Sequence, residues 1–132
     1  MNALAIEWIE KAEGDFATAQ RERRARTRPN YDAACFHAQQ CAEKYLKALL
    51  AQHGAAFPKT HHLIDLLDLC LRHDPMLEPW RPTLLLLGPY GVRYRYPGES
   101  AERADALAAI RALNTFRAFM RTRLGVSPTS QL

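Results

Sequence analysis

The chain has 132 residues, 48% hydrophobic and 24% charged, with a formal net charge of +4 and a pI near 9.2. This is one domain of ordinary size with enough apolar surface for a core, which excludes a disordered chain, a fibrous repeat and a small disulfide-dependent fold. No apolar run, Leu84 to Leu87 included, approaches the roughly 20 residues that cross a bilayer, and the N-terminus lacks the basic, apolar and small-residue order of a secretory signal, so a cytoplasmic protein without membrane contact is expected.

Asn2 is a suitable N-cap, and Ala5, Trp8, Ile9, Ala12, Phe16 and Ala19 recur at helical spacing, predicting a first helix that runs to about Ala25. Pro29 disfavours helical backbone at Arg28, and Asn30 can cap a second helix spanning Asn30 to Gly54. One broad face of that helix carries Tyr31, Ala34, Cys35, Ala38, Cys41, Ala42, Tyr45, Leu46 and Leu49, many of them small enough to let neighbouring helices approach closely. The rest of its surface carries His37, Gln39, Gln40, Glu43, Lys44 and Lys47.

Pro58 marks a loop, and Thr60 reads as the cap of a third helix from Leu63 to Arg72, ended by Asp74 and Pro75. Pro79 and Pro82 fit only near a helix start, so a fourth helix begins at Trp80 or Thr83 and runs to Tyr90. Glycines and prolines then frame alternating Arg93, Tyr94, Arg95 and Tyr96, which favours an extended connection. Ser100 reads as the cap of a long last helix with Ala109, Leu113, Phe116, Met120 and Leu124 on its apolar face, and residues 125–132 read as a flexible tail. The expected fold is all-α: an antiparallel bundle of about five helices, three long and two short, in a single domain spanning residues 1–124.

Three cysteines form no CxxC pair, and Cys35 and Cys41 stand six residues apart on one helix, about 9 Å along its axis, too far for a disulfide. They read as small buried hydrophobes. Arg21, Arg23, Arg24, Arg26 and Arg28 crowd the end of the first helix, and Arg103, Arg111, Arg117 and Arg121 share one arc of the last; either group is a solvated face or a phosphate contact. Adjacent His61 and His62 diverge and have no HExxH companion, so no metal site and no cofactor are expected. Lys59, His61 and His62 gather instead where a helix begins, a place suited to anions. In the segment from Tyr90 to Pro97, arginine forks beside tyrosine rings suit phosphate oxygens and base stacking, or equally a loop that clips helices together. Lys44 and Lys47 can face one groove, with Glu43 pairing Lys47 along the helix.

The segments YDAACFHAQQ (Tyr31 to Gln40), AEKYLKALL (Ala42 to Leu50), PKTHHL (Pro58 to Leu63) and RYP (Arg95 to Pro97) together resemble the HEPN domain family, in the ArgTyrPro-containing branch, over roughly Trp8 to Phe119. The resemblance implies an all-α bundle, usually a homodimer, often paired with a minimal nucleotidyltransferase in toxin–antitoxin modules. It also implies kinship with metal-independent ribonucleases, whose signature is an arginine followed after four to six residues by a histidine. Here none of His37, His53, His61, His62 and His73 has an arginine at that spacing, and no histidine follows Arg95. His62 also stands where relatives commonly have Asp.

The reading is therefore a HEPN protein that binds nucleotide or RNA phosphate as the partner of a nucleotidyltransferase, not an enzyme of the usual kind. Arg95, Lys44 and His61 would carry binding, with Arg93, Tyr96 and Lys47 accessory. The alternatives are a metal-independent RNA endonuclease using Arg95 and a non-standard histidine such as His61, in which imidazole serves acid–base steps and arginine stabilises phosphorane charge, and a non-catalytic protein-interaction dimer. What decides among these is whether Arg95, Lys44 and His61 meet in one cleft.

Overall fold

The computed structural model describes residues 1–126 and contains five α-helices: α1 (Ala3–Arg24), α2 (Tyr31–Gln52), α3 (Leu63–Leu71), α4 (Arg81–Leu87) and α5 (Arg103–Arg123). Single 3-10 segments, Pro75–Trp80 and Gly88–Gly91, flank α4, and no strand occurs among the described residues. The fourth helix is thus shorter than its pattern implied. Pro75, Pro79 and Pro89 each lack an amide hydrogen, so the tighter 3-10 form takes over on both sides.

Local chemistry sets most boundaries. Asn2 caps α1 by accepting the Ala5 amide at 2.8 Å, and its side-chain amide donates to the Ala51 carbonyl at 2.8 Å, tying the start of α1 to the end of α2. Asn30 accepts the Ala33 amide at 2.9 Å. Because Pro29 bars Arg28 from helical backbone, the chain turns there with Arg28 at φ 51°. Gly54, at φ 65°, closes α2 in a Schellman arrangement in which the Ala55 amide donates to Leu50 at 2.9 Å.

Three capping expectations change. The N-cap of α3 is His62, whereas Thr60 accepts the His62 amide at 3.2 Å and shapes the preceding turn. The N-cap of α5 is Glu102 and not Ser100, because the Asp105 carboxylate reaches back to the Glu102 amide at 2.8 Å. Gly125 and Val126, expected at the start of the tail, close α5 instead: Gly125 takes φ 82°, the Val126 amide donates to Arg121 at 2.7 Å, and Val126 is buried. Residues 127–132 lie outside the described residues.

α2 is the centre of the bundle. Fourteen of its 22 residues are buried, too many for a helix with one solvent face. The pairs Asn2–Ala51, Asp15–His37 and Glu13–Tyr45 run in opposite chain directions, so α1 is antiparallel to α2. The Asp32–Ala101 and Tyr45–Arg121 contacts run the same way along both helices, so α5 lies parallel to α2 and antiparallel to α1. α3 and α4 form the excursion that returns the chain to the N-terminal end of α2. The nine residues of α3 are too few to hold a helix alone. Leu63, Leu66, Leu67 and Cys70 are buried against the other helices, and each such leucine contributes about 1.5–3 kcal/mol on burial.

Candidate functional site

The loop between α4 and α5 does not extend. After the 3-10 turn the Arg93 amide bonds to Pro89 at 2.9 Å and the Arg95 amide to Val92 at 3.2 Å, winding the segment into tight turns. The cause is the tyrosines. Tyr90 is buried in the core and Tyr94 stacks on it with ring centroids 5.8 Å apart, far closer than the roughly 13 Å that a strand puts between residues four apart. Arg93, Arg95 and Tyr96 are left outside.

Winding the loop in this way brings Arg95 opposite the α2–α3 connection. A cavity of about 340 Å³ lies between them, lined by Phe36 and Gln40 of α2, His61 and His62, Gly88 and Gly91, Val92 and Arg95. None of these side chains is a carboxylate, whereas an arginine and two imidazoles are present. The Arg95 guanidinium makes no ion pair with any described residue.

His61 is held from behind. Its Nδ1 lies 3.1 Å from both carboxylate oxygens of Glu43, a residue only 2% exposed. Lys47 donates to the same carboxylate at 3.0 Å, and its ammonium sits 5.3 Å from the centre of the Trp8 ring. With that ammonium bonded to it, Glu43 is a carboxylate and accepts only, so His61 Nδ1 carries the hydrogen and Nε2 is left at the open edge of the ring. The backbone is fixed as well. Gln39, fully buried, donates to the His61 carbonyl at 3.1 Å and accepts from Gln40 at 2.7 Å. Gly91 packs so closely on the Gln39 amide that a Cβ there would stand 3.2 Å from its Cδ. Glu43, Gln39 and Gly91 therefore set where the imidazole stands relative to Arg95.

The remaining sequence candidates do not join them. Lys44 turns to the α1 side of α2, 2.5 Å from Asp15, which also binds His37 Nδ1 at 2.8 Å. Lys47 is buried against Trp8 and reaches the cavity only through Glu43 and His61. Arg93 is turned to Glu99 at 3.1 Å, a bond that raises its pKa. Tyr96 is 70% exposed and does not line the cavity. The separation follows from helical geometry, since Glu43 and Lys44 are about 100° apart around α2 and must face different neighbours.

Two charged clusters were not anticipated. Arg117 and Arg121, expected on a solvated or phosphate-contacting face, point inward. Arg117 forms two bonds to Glu13, at 2.6 and 2.7 Å, and the fully buried Arg121 donates to the Tyr45 hydroxyl at 3.2 Å; that hydroxyl donates in turn to Glu13. Asp15, with His37 and Lys44, is the second cluster. A signal was present, because Glu13 and Asp15 sit between Ile9, Ala12, Phe16 and Ala19 on α1, and Arg117 and Arg121 between Leu113 and Leu124 on α5. A charge at an apolar stripe position requires a buried partner.

The cysteines are free and buried. Burial first, with nearby carboxylates adding, pushes the Cys35 and Cys70 thiols up to about 12. Among the described residues no group of three or more His, Cys, Asp or Glu side chains could hold a metal, and no helix is long and apolar enough to cross a membrane.

No curated protein matches the chain significantly. The fold matches the crystal structure of an archaeal HEPN homologue with a TM-score of 0.68 at 24% identity, covering 91% of this chain and 97% of that one. The sequence profile of the HEPN domain covers residues 5–124, nearly all of the five-helix bundle, and the chain belongs to the HEPN domain family.

Proposed function

We propose that the protein binds the phosphate of a nucleotide or of RNA in the cavity between His61 and Arg95. We further propose that it does so as a homodimeric partner of a minimal nucleotidyltransferase in a toxin–antitoxin-like module. The observation that carries the reading is the convergence of an arginine with no ion pair among the described residues and a carboxylate-held imidazole on one cavity that has no carboxylate in its lining. A guanidinium fork matches two phosphate oxygens, and the His61 imidazole, held at Nδ1 by Glu43, offers its other ring nitrogen to a ligand in the same cavity.

Calorimetric titration with a ribonucleoside monophosphate and with short single-stranded RNA tests this. Arg95→Ala and His61→Ala should each weaken binding about ten- to a hundredfold, the scale of a lost charge-assisted hydrogen bond. Lys44→Ala should change it little, because Lys44 serves Asp15. Absence of heat for every ligand would leave a protein-interaction dimer as the better account. Co-purification with a nucleotidyltransferase encoded beside it tests the partner; failure to associate would remove that part alone.

One observation favours a second reading, metal-independent RNA cleavage. Glu43 behind His61 is an arrangement that steadies an imidazole for proton transfer, and Arg95 is on hand to stabilise phosphorane charge. Cleavage of RNA in EDTA that falls with both Arg95→Ala and His61→Ala would support it. An inactive wild type would end it.

A further inference from the structure

Beside the cavity between His61 and Arg95 lies a second one of about 360 Å³, and the two share His62 and Gly88 in their linings. Their chemistries differ. Beyond His62 the walls are Leu63, Ile64, Leu84, Leu85 and Pro89, and the only acidic group is Asp65 in the first turn of α3. A phosphate is disfavoured there, since it would face a carboxylate across apolar walls. A flat, weakly polar ring is favoured. Leu85, in the wall of this cavity, is 57% exposed, so apolar surface that the fold leaves in water would be covered by such a ring. Asp65 makes no hydrogen bond or ion pair with any described side chain, unlike Asp68 one turn on, which binds Arg81 at 2.9 Å.

We propose that this second cavity seats the base of the bound nucleotide and that Asp65 makes guanine the preferred base. The proposal rests on the phosphate reading above. A carboxylate only accepts, and its two oxygens match two adjacent N–H donors. Guanine presents such a pair on its Watson–Crick edge, at N1 and the exocyclic N2. Adenine and cytosine each place a donor beside an acceptor, and uracil flanks its one donor with two carbonyls. Both cavities fall in the range of about 300–1,000 Å³ usual for small-ligand sites, so one nucleotide can span the pair with its phosphate at Arg95 and its base over Leu85.

The test is calorimetry on the full chain with ribose 5-phosphate, AMP and GMP as probes, using wild type, Asp65→Asn and Leu85→Ala, with circular dichroism verifying the fold of each variant. GMP is expected to bind about tenfold or more tighter than AMP, and AMP tighter than ribose 5-phosphate. Asp65→Asn should erase the GMP preference while leaving ribose 5-phosphate unchanged, and Leu85→Ala should weaken both nucleotides. Equal binding of all three probes would overturn the base subsite and leave the phosphate site standing. A GMP preference that survives Asp65→Asn would overturn the role given to Asp65. No binding of any probe would overturn both readings.

Discussion

His61 Nδ1 lies within 3.1 Å of both oxygens of Glu43, a carboxylate that is buried in α2 and also receives the Lys47 ammonium at 3.0 Å. An exposed imidazole is thereby anchored to an ion pair inside the core. Glu43→Ala should destabilise the protein by about 3–5 kcal/mol, because it strands the buried Lys47 charge. Glu43→Leu combined with Lys47→Met should recover most of that loss while leaving His61 unanchored. Denaturant unfolding of the three proteins checks the stability claim. If Glu43→Ala alone costs less than about 1 kcal/mol, the pair behaves as a surface bridge and the anchor is not structural.

Gly91→Ala should impair ligand binding more than it impairs stability. Its Cβ would press on the Gln39 amide at 3.2 Å, and Gln39 holds the His61 carbonyl. The displaced atoms belong to a side chain, so the folding cost should remain below about 1–2 kcal/mol. Affinity for a nucleoside monophosphate should fall severalfold. An unchanged affinity would separate Gln39 from the positioning of His61.

Acid should weaken the joint between α1 and α5. Burial pushes the Glu13 carboxyl upward, but hydrogen bonds from Arg117 and Tyr45 and the charges of Arg117 and Arg121 outweigh it and hold Glu13 below its ordinary value of 4.5. A group with a lowered folded-state pKa contributes stability above its unfolded value, and that stability is lost as pH falls through the folded one. Glu13→Gln should therefore cost about 1–2 kcal/mol at pH 7, and wild type and variant should converge as pH falls below 4.5. A constant gap across that range would show that the cluster acts through packing rather than charge.

The native thiols should be silent. Cys35, Cys41 and Cys70 are buried, with their pKa values raised first by burial, and the thiolate is the reactive form. An aromatic disulfide reagent at pH 8 should titrate none of the three in the folded protein and all three in denaturant. Rapid reaction of one in native buffer would mean that the α2 core opens locally.

Much of the architecture was legible because it depends on local causes. Periodic apolar residues, Asn2 and Asn30 as caps and Gly54 as a stop act within a turn or two of where they stand, so five helices and their approximate limits could be read from spacing. The errors fell where a particular side-chain contact, and not the spacing of apolar, capping or breaker residues, decided the backbone. Tyr94 stacks on the buried Tyr90, so the arginine–tyrosine stretch winds instead of extending. Asp105 reaches back to Glu102, so the last helix starts later than Ser100 implied.

By itself the sequence determined an all-α bundle centred on α2, family membership through motifs spread along the chain, and the kinds of side chain, imidazole and guanidinium, that stand in the candidate site. Only the tertiary structure decided which of them meet. Neighbours along a helix diverge by about 100° per residue, so Glu43 turns to His61 while Lys44 turns to Asp15. His61 and Arg95, distant in the chain, converge because α3 and α4 fold back against α2. Partner choice among charged groups is settled by the direction in which each helix presents them, and spacing in one chain segment carries no record of the neighbour that another segment supplies.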